Sequence, residues 1–375
     1  MFDFDTVYNR RGTSSLKWDR HPENILAMWV ADMDFKSPPA VIEALKNRAD
    51  HGIYGYTDPP ESLTQCLVEH MKGKYDWEVE ADWFCWIPGL VPALNIACRA
   101  YSEEGESIIA PTPVYPPFMT APFNMRRKCI KLPLKLLGDE WQLSIEDLEN
   151  SITPDTKMLF LCNPHNPVGK VFSRDELEAI YQVCEKHDLL VCSDEIHCDL
   201  LLDDAQHIPF AALHKEAEER TLVLMAPSKT FNVPGLSMSF VIVPNNKLRR
   251  KFKREYQGLF NEINCFGYAA CEAAYRDSQD WLKELCAYLS ANRDFLYSFM
   301  KTNFPNVKMA PMHATYLAWM DFRECGIDDP HKAFRDAGVE LSPGRPFDGD
   351  GFLRLNFGCP RATLEEGLQR MASIL

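Results

Sequence analysis

Lys229 is the residue whose setting is hardest to explain as ordinary. It stands in the run Ala226-Pro227-Ser228-Lys229-Thr230-Phe231-Asn232, directly after Thr221-Leu222-Val223-Leu224-Met225, which reads as a short buried strand preceded by charge. Lysines rarely enter a protein interior, and most loop lysines are surface residues. One delivered by the carboxyl end of a buried strand loses water around its ammonium, so its pKa falls and the amine becomes a usable base or nucleophile. Such amines form Schiff bases with carbonyl compounds.

The other predicted strand ends supply groups that suit the same chemistry. In an open α/β sheet, ligands bind outside the carboxyl ends of the strands. The polar groups there are Gly89-Leu90-Val91 at a helix start, Asn166, Asp194 with His197, and Ser228 beside Lys229. A helix N-terminus with free N–H groups, together with Ser228, can hold a phosphate. Asp194 can keep a ring nitrogen protonated, and Asn166 and His197 can hydrogen-bond a phenolic oxygen. One ligand asks for all of these, pyridoxal phosphate. Taken singly, each has a plainer use: Asp194 suits a turn, Asn166 precedes a proline, and His197 suits a structural histidine.

The elements that would position these residues alternate. Strands are expected at Trp83–Ile87, Ser107–Ala110, Cys129–Leu134, Met158–Cys162, Leu189–Cys192, Thr221–Met225 and Phe240–Val243. Helices are expected at Leu63–Tyr75, at Val91–Tyr101, and from a capping box at Ser173 and Glu176 to about His187. That alternation implies an α/β fold with a mainly parallel sheet covered on both faces. After about residue 280 the pattern changes to charged helices and a few strands, Tyr316–Met320 and Phe352–Leu355 among them. The expected division is an N-terminal segment, 1–45, that joins the small domain, a large domain at 46–279, and a small domain at 280–375.

Composition narrows the function. The 375 residues carry a net charge of −14, which argues against nucleic acid or an anionic membrane as a partner. No apolar run approaches the ~18 residues of a membrane span. Met1-Phe2-Asp3-Phe4-Asp5 lacks the basic and apolar regions of a signal peptide. Thirteen cysteines, an odd number without CxxC spacing, fit a reducing cytoplasm. GxGxxG, P-loop and HExxH patterns do not occur, which sets aside nucleotide-dependent redox and zinc chemistry.

Four motifs then carry a family resemblance over nearly the whole chain. They are Asn163-Pro164-His165-Asn166-Pro167-Val168-Gly169, Ser193-Asp194-Glu195-Ile196-His197, Ser228-Lys229-Thr230-Phe231-Asn232 and Arg354-Leu355-Asn356-Phe357-Gly358. In order and spacing the chain resembles the class I/II aminotransferase-type pyridoxal-phosphate enzymes of fold type I. The resemblance implies a seven-stranded-type sheet in the large domain and a smaller α+β domain. It implies a Schiff base at Lys229, Asp194 on the pyridine nitrogen, Asn166 on the phenolic oxygen, Tyr115 stacked on the ring, and Arg354 clamping the substrate carboxylate.

Two departures refine it. Many aminotransferases have an arginine in a Gly-Leu-Arg turn after the lysine, where this chain has Gly235-Leu236-Ser237, and tyrosine commonly stands where His197 is. With the stretches RRGTSSLKWD, WVADMDF, YGYTD and ATYLAWMDF, these departures resemble the MalY/PatB branch of cystathionine β-lyase-type carbon–sulfur lyases. That branch implies a homodimer with shared active sites, in which Tyr56 reaches the cofactor phosphate of the neighbouring subunit. The expected reaction is elimination from a small amino acid bearing a β-thioether, giving thiol, pyruvate and ammonia. An aminotransferase is the alternative within the fold, and a regulatory partner-binding protein that retains the cofactor is the alternative of another class. Trp29 and Asp32, with Tyr316 and Trp319, are candidates for the distal half of the substrate, and equally for core or dimer contacts.

Overall fold

Seven short apolar stretches become the seven strands of one sheet. They are β1 (Phe84–Ile87), β2 (Ser107–Thr112), β3 (Lys128–Pro133), β4 (Thr156–Cys162), β5 (Leu190–Asp194), β6 (Thr221–Met225) and β7 (Ser239–Ile242). The computed structural model describes residues 1–260 and 262–374. Spatial order is β1-β7-β6-β5-β4-β2-β3. β7 runs antiparallel to both its neighbours, and every other pairing is parallel. β2, β6 and β7 are buried along their whole length, as continuous apolar runs require when helices cover both faces.

The order β6-β5-β4 decides where the site lies. These three strands are parallel neighbours, so their carboxyl ends open onto one edge of the sheet side by side. The fourth contributor is the helix Leu90–Tyr101, which follows β1 after Gly89. Gly89 has φ 112°, a backbone conformation that L side chains rarely adopt, so this sharp strand-to-helix corner requires glycine. On the far side, the expected capping box forms at Ser173 and Glu176 and starts the helix Arg174–Lys186.

The smaller unit is a three-stranded antiparallel sheet of β8 (Leu317–Asp321), β9 (Ser342–Pro343) and β10 (Phe352–Asn356), in the order β8-β10-β9. The helices Gln279–Asn303 and Arg361–Ala372 pack against each other and share a core with it. Leu26–Ala27 pairs in parallel with Val339–Glu340, which ties the N-terminal segment to this unit. The expected junction at residue 45 falls inside the helix Pro39–His51, whose neighbour is the large-domain helix Cys265–Asp277.

All thirteen cysteines are free thiols. Among the described residues no helix is long and apolar enough to cross a membrane, and no cluster of His, Cys, Asp and Glu could hold a metal ion.

Candidate active site

Lys229 sits on the one-turn helix Pro227–Thr230 that follows β6. Its Nζ donates a hydrogen bond to the Ala31 carbonyl at 2.7 Å. Burial pulls its pKa down to about 8; nearby Asp32 and Asp194 oppose that fall and Arg354 adds to it. An amine in this range is a base poised near neutral pH.

Asp194 ends β5 one strand away. It is buried, and its Oδ1 accepts the Ile196 N–H at 3.1 Å. Burial lifts its carboxyl to about 7, the Ile196 bond and Lys229 pull the other way, and Glu195 adds to the rise. A cationic ring nitrogen beside it would restore the ionised form. His197, on the following turn, is equally buried, and its Nδ1 has no partner among the described residues. Burial first, then the positive charge of Lys229 and Arg354, hold its pKa down at about 3, so the imidazole is neutral.

Asn166 lies in the loop after β4, and its main-chain carbonyl accepts the Tyr115 N–H at 3.1 Å. That bond draws the Tyr115 loop against the same cavity. The Tyr115 ring is 38% exposed, open on the side where a flat ligand would stack.

At the opposite end of the cavity the helix Leu90–Tyr101 begins without any side-chain cap. The Gly89 N–H is taken by Ser239 Oγ at 2.7 Å. The first-turn amides of Leu90 and Val91 remain to face a ligand, with Ser228 across from them. Such a cradle offers N–H groups and the positive end of the helix dipole to an anion. Ser237 ends the Pro234–Leu236 turn in a left-handed conformation and does not border this cavity.

Arg354 enters from β10. It is 5% exposed, and its Nη2 donates to the Trp29 carbonyl at 3.0 Å and to Ser342 Oγ at 3.3 Å. Its Nη1 donates to Asn166 Oδ1 at 3.1 Å, and the guanidinium lies 4.6 Å over the Phe347 ring. Among the described residues Nε has no partner, and no carboxylate stands within ion-pair distance. Burial brings its pKa down to about 10, against the influence of Tyr115 and Tyr316. A buried cation without a counter-ion costs on the order of several kcal/mol of desolvation. Its natural complement is an anionic ligand that approaches in the plane of the guanidinium.

These groups border one cavity of about 500 Å³. Leu90, Val91, Tyr115, Asn166, Asp194 and His197 line it, and so do Ser228, Lys229, Arg354 and Trp29. Two expected residues lie elsewhere. Tyr56 is 96% exposed in the segment before the helix Glu61–Tyr75 and does not border the cavity of its own chain. Asp32 pairs with Arg10 and borders an adjoining cavity of about 450 Å³, which it shares with Lys229. Tyr316 is buried, with its hydroxyl on the Ala31 carbonyl at 2.9 Å, whereas Trp319 stacks on Phe352 in the core.

Sequence reading missed the contributors that act through main chain or register. The carbonyls of Trp29 and Ala31 receive Arg354 and Lys229, and Ser342 meets Arg354 because the two are paired across β9 and β10. A main-chain acceptor leaves no mark in residue type.

Residues 23–371 match the sequence model of the family described as aminotransferase class I and II. The chain is 39% identical over 386 aligned residues to the cystathionine beta-lyase PatB of Bacillus subtilis, covering 100% of both chains. Among solved structures it is similar to OvoB, with a TM-score of 0.96, 42% identity, and 100% and 99% of the two chains covered. It is also similar to cystalysin of Treponema denticola, whose crystal structure contains pyridoxal 5'-phosphate, with a TM-score of 0.95, 34% identity, and 100% and 98% covered.

Proposed function

The chain belongs to the aminotransferase class I and II family, and we propose that it is a pyridoxal-phosphate-dependent carbon–sulfur β-lyase. Its substrates are cystathionine or related S-substituted cysteines, and its products are a thiol, pyruvate and ammonia. The observation that carries this reading is a single cavity on which Lys229, a buried carboxyl at Asp194 and the counter-ion-free Arg354 converge.

The donor set fits the cofactor. The ring nitrogen falls to Asp194, whose raised pKa marks a site built for a cationic partner. Asn166 and His197 serve the phenolic oxygen, Tyr115 the ring face, and the Leu90 and Val91 amides with Ser228 the phosphate. Lys229 is the amine that attaches the aldehyde. Bound there, pyridoxal phosphate supplies an electron sink for the carbanion left when an α-proton departs.

The chain's own residues do the rest. Arg354 takes the substrate carboxylate in a bidentate grip and fixes which α-substituent faces Lys229. The Lys229 amine removes the α-proton and holds it at Nζ, against the Ala31 carbonyl. Asp194 remains ionised and keeps the electron demand of the site high. Trp29, Val30 and Ala31 close one wall of the cavity and keep bulk water from the reacting atoms.

Incubation with cystathionine, with and without a keto-acid acceptor, tests the reading. Thiol and pyruvate released without acceptor support the lyase. Product that forms only with acceptor assigns the aminotransferase instead, since the two reactions share the first proton abstraction and separate afterwards.

The working unit is a homodimer in which Tyr56 reaches the phosphate of the neighbouring site. Supporting this, Ile53, Tyr54 and Tyr56 stand exposed in a segment without regular structure. Thirteen unpaired thiols agree with a cytoplasmic location.

A further inference from the structure

Residues 29–33 form an irregular, bent strap whose five successive carbonyls all receive side-chain donors. Trp29 takes Arg354 and Ser342, Val30 takes Asn356, and Ala31 takes Lys229 and Tyr316. Asp32 takes Lys17 and Asn356, and Met33 takes Arg10 and Asn232. The strap is thereby fixed by both domains, and it carries Asp32 next to the carbonyl that receives Lys229.

The Asp32 carboxylate is used on one side only. Oδ2 receives Arg10, whereas Oδ1 is buried and accepts no hydrogen bond among the described residues. A buried, half-satisfied carboxylate is costly to keep. Asp32 and Lys229 border the same second cavity, together with Arg10.

We propose that Asp32 is a positioning residue for Lys229: with the Ala31 carbonyl, it stations the Lys229 ammonium against the strap after the amine has taken a proton. The Arg10–Asp32 pair sets how strongly that ammonium is held. The charged and titratable groups that face Lys229 are Asp32 and Tyr316 on this side, Asp194 and His197 from β5 and its turn, and Arg354 from β10. Those that face Asp32 are Arg10 and Lys17, which are shared with Asp34. Among the charges acting on Lys229, that of Asp32 is the largest.

The consequence has a definite sign. Asp32→Asn removes a negative charge from beside an ammonium, so Lys229 loses its proton at lower pH. Arg10→Gln frees Asp32 and also removes a positive charge, so Lys229 keeps its proton to higher pH. An opposite charge within about 4–6 Å moves a pKa by about one unit or more.

The inference rests on Lys229 as the working amine and not on which bond is broken afterwards. Its test therefore reads the amine directly. In the full chain freed of cofactor, Lys229 is acetylated by a trace of acetic anhydride across the neutral and alkaline range, and the modified peptide is counted by mass spectrometry. The midpoint should fall by about one unit in Asp32→Asn and rise in Arg10→Gln. In the holoenzyme, the acid limb of kcat should move in the same two directions. Midpoints equal to the parent's in both variants overturn the proposal. Should Asp32→Asn fail to fold, the upward shift in Arg10→Gln decides it alone.

Discussion

Arg354 Nη1 and Asn166 Oδ1 meet at 3.1 Å, joining the small sheet to the loop after β4. The bond fixes the Asn166 amide, because an oxygen that faces a guanidinium leaves the NH₂ group to point elsewhere. On the proposed assignment, the residue that would grip the substrate carboxylate also orients the donor offered to the phenolic oxygen.

Arg354→Met should therefore fail in two ways. Two charge-assisted hydrogen bonds to a carboxylate are lost, at about 1.5–3 kcal/mol each, so kcat/KM falls by about 10²–10⁴-fold. The cofactor dissociation constant, measured by fluorescence titration, should rise as well, because Asn166 is no longer oriented. An unchanged cofactor constant beside a collapsed kcat/KM would show that the two recognitions are separate.

Asp194 opposes stability and function. Burial raises its carboxyl to about 7 in the folded chain, against about 3.9 when unfolded. The folded state therefore holds this proton more tightly, and the resulting stabilisation is complete below the unfolded value and lost as pH rises through about 7. Asp194→Asn escapes that loss. The cofactor-free variant should melt several degrees higher than the parent at mildly alkaline pH, with a gain that shrinks in mild acid and vanishes below about pH 3.9. With cofactor bound, the variant should lose turnover by orders of magnitude. Calorimetric scans at the two pH values, with and without cofactor, check both halves.

How much of this was legible beforehand follows from where information resides in a chain. Thr221–Met225 was read without error because charge precedes an uninterrupted apolar run, and Lys229, Asp194 and Asn166 stood out as polar residues just past such runs. An apolar run does not encode its direction, so the antiparallel β7 could not be told from its parallel neighbours. The helix Cys265–Asp277 was missed because eight of its residues are buried, which erases the amphipathic period. Asp32 was a candidate for the distal half of the substrate and equally for core or dimer contacts, and its partner Arg10, 22 residues away on a segment with no periodic pattern, was not read.

Asn232 clasps the strap to the Lys229 turn. Its Oδ1 accepts the Met33 N–H at 2.9 Å, and its Nδ2 donates to the carbonyls of Met33 and Phe35 at 2.9 and 2.8 Å. Its φ of 55° is one that asparagine tolerates better than most residues. Asn232→Ala removes these bonds and keeps the unfavourable backbone, at a cost of about 1–3 kcal/mol. The strap should then open before the rest of the protein. Limited proteolysis should cut the variant within its first 35 or so residues under conditions that leave the parent intact. Substrate should protect the parent and the variant unequally.

The exposed Tyr56 gives the proposed dimer its sharpest test, because shared sites would let two dead chains repair each other. Tyr56→Ala and Lys229→Ala each disable a site by themselves, one through the phosphate and one through the amine. In a mixed dimer, one site combines both defects. The other combines an intact Lys229 with an intact Tyr56 from the neighbouring chain. Random reassortment makes half of the dimers mixed, with one working site in each, so activity should recover to about a quarter of the parent's. The recovery should appear only after the two proteins are dissociated and reassembled together. A mixture that stays inactive after verified exchange would place Tyr56 outside the neighbouring site, and the phosphate would then be held by the Leu90 and Val91 amides and Ser228 of its own chain alone.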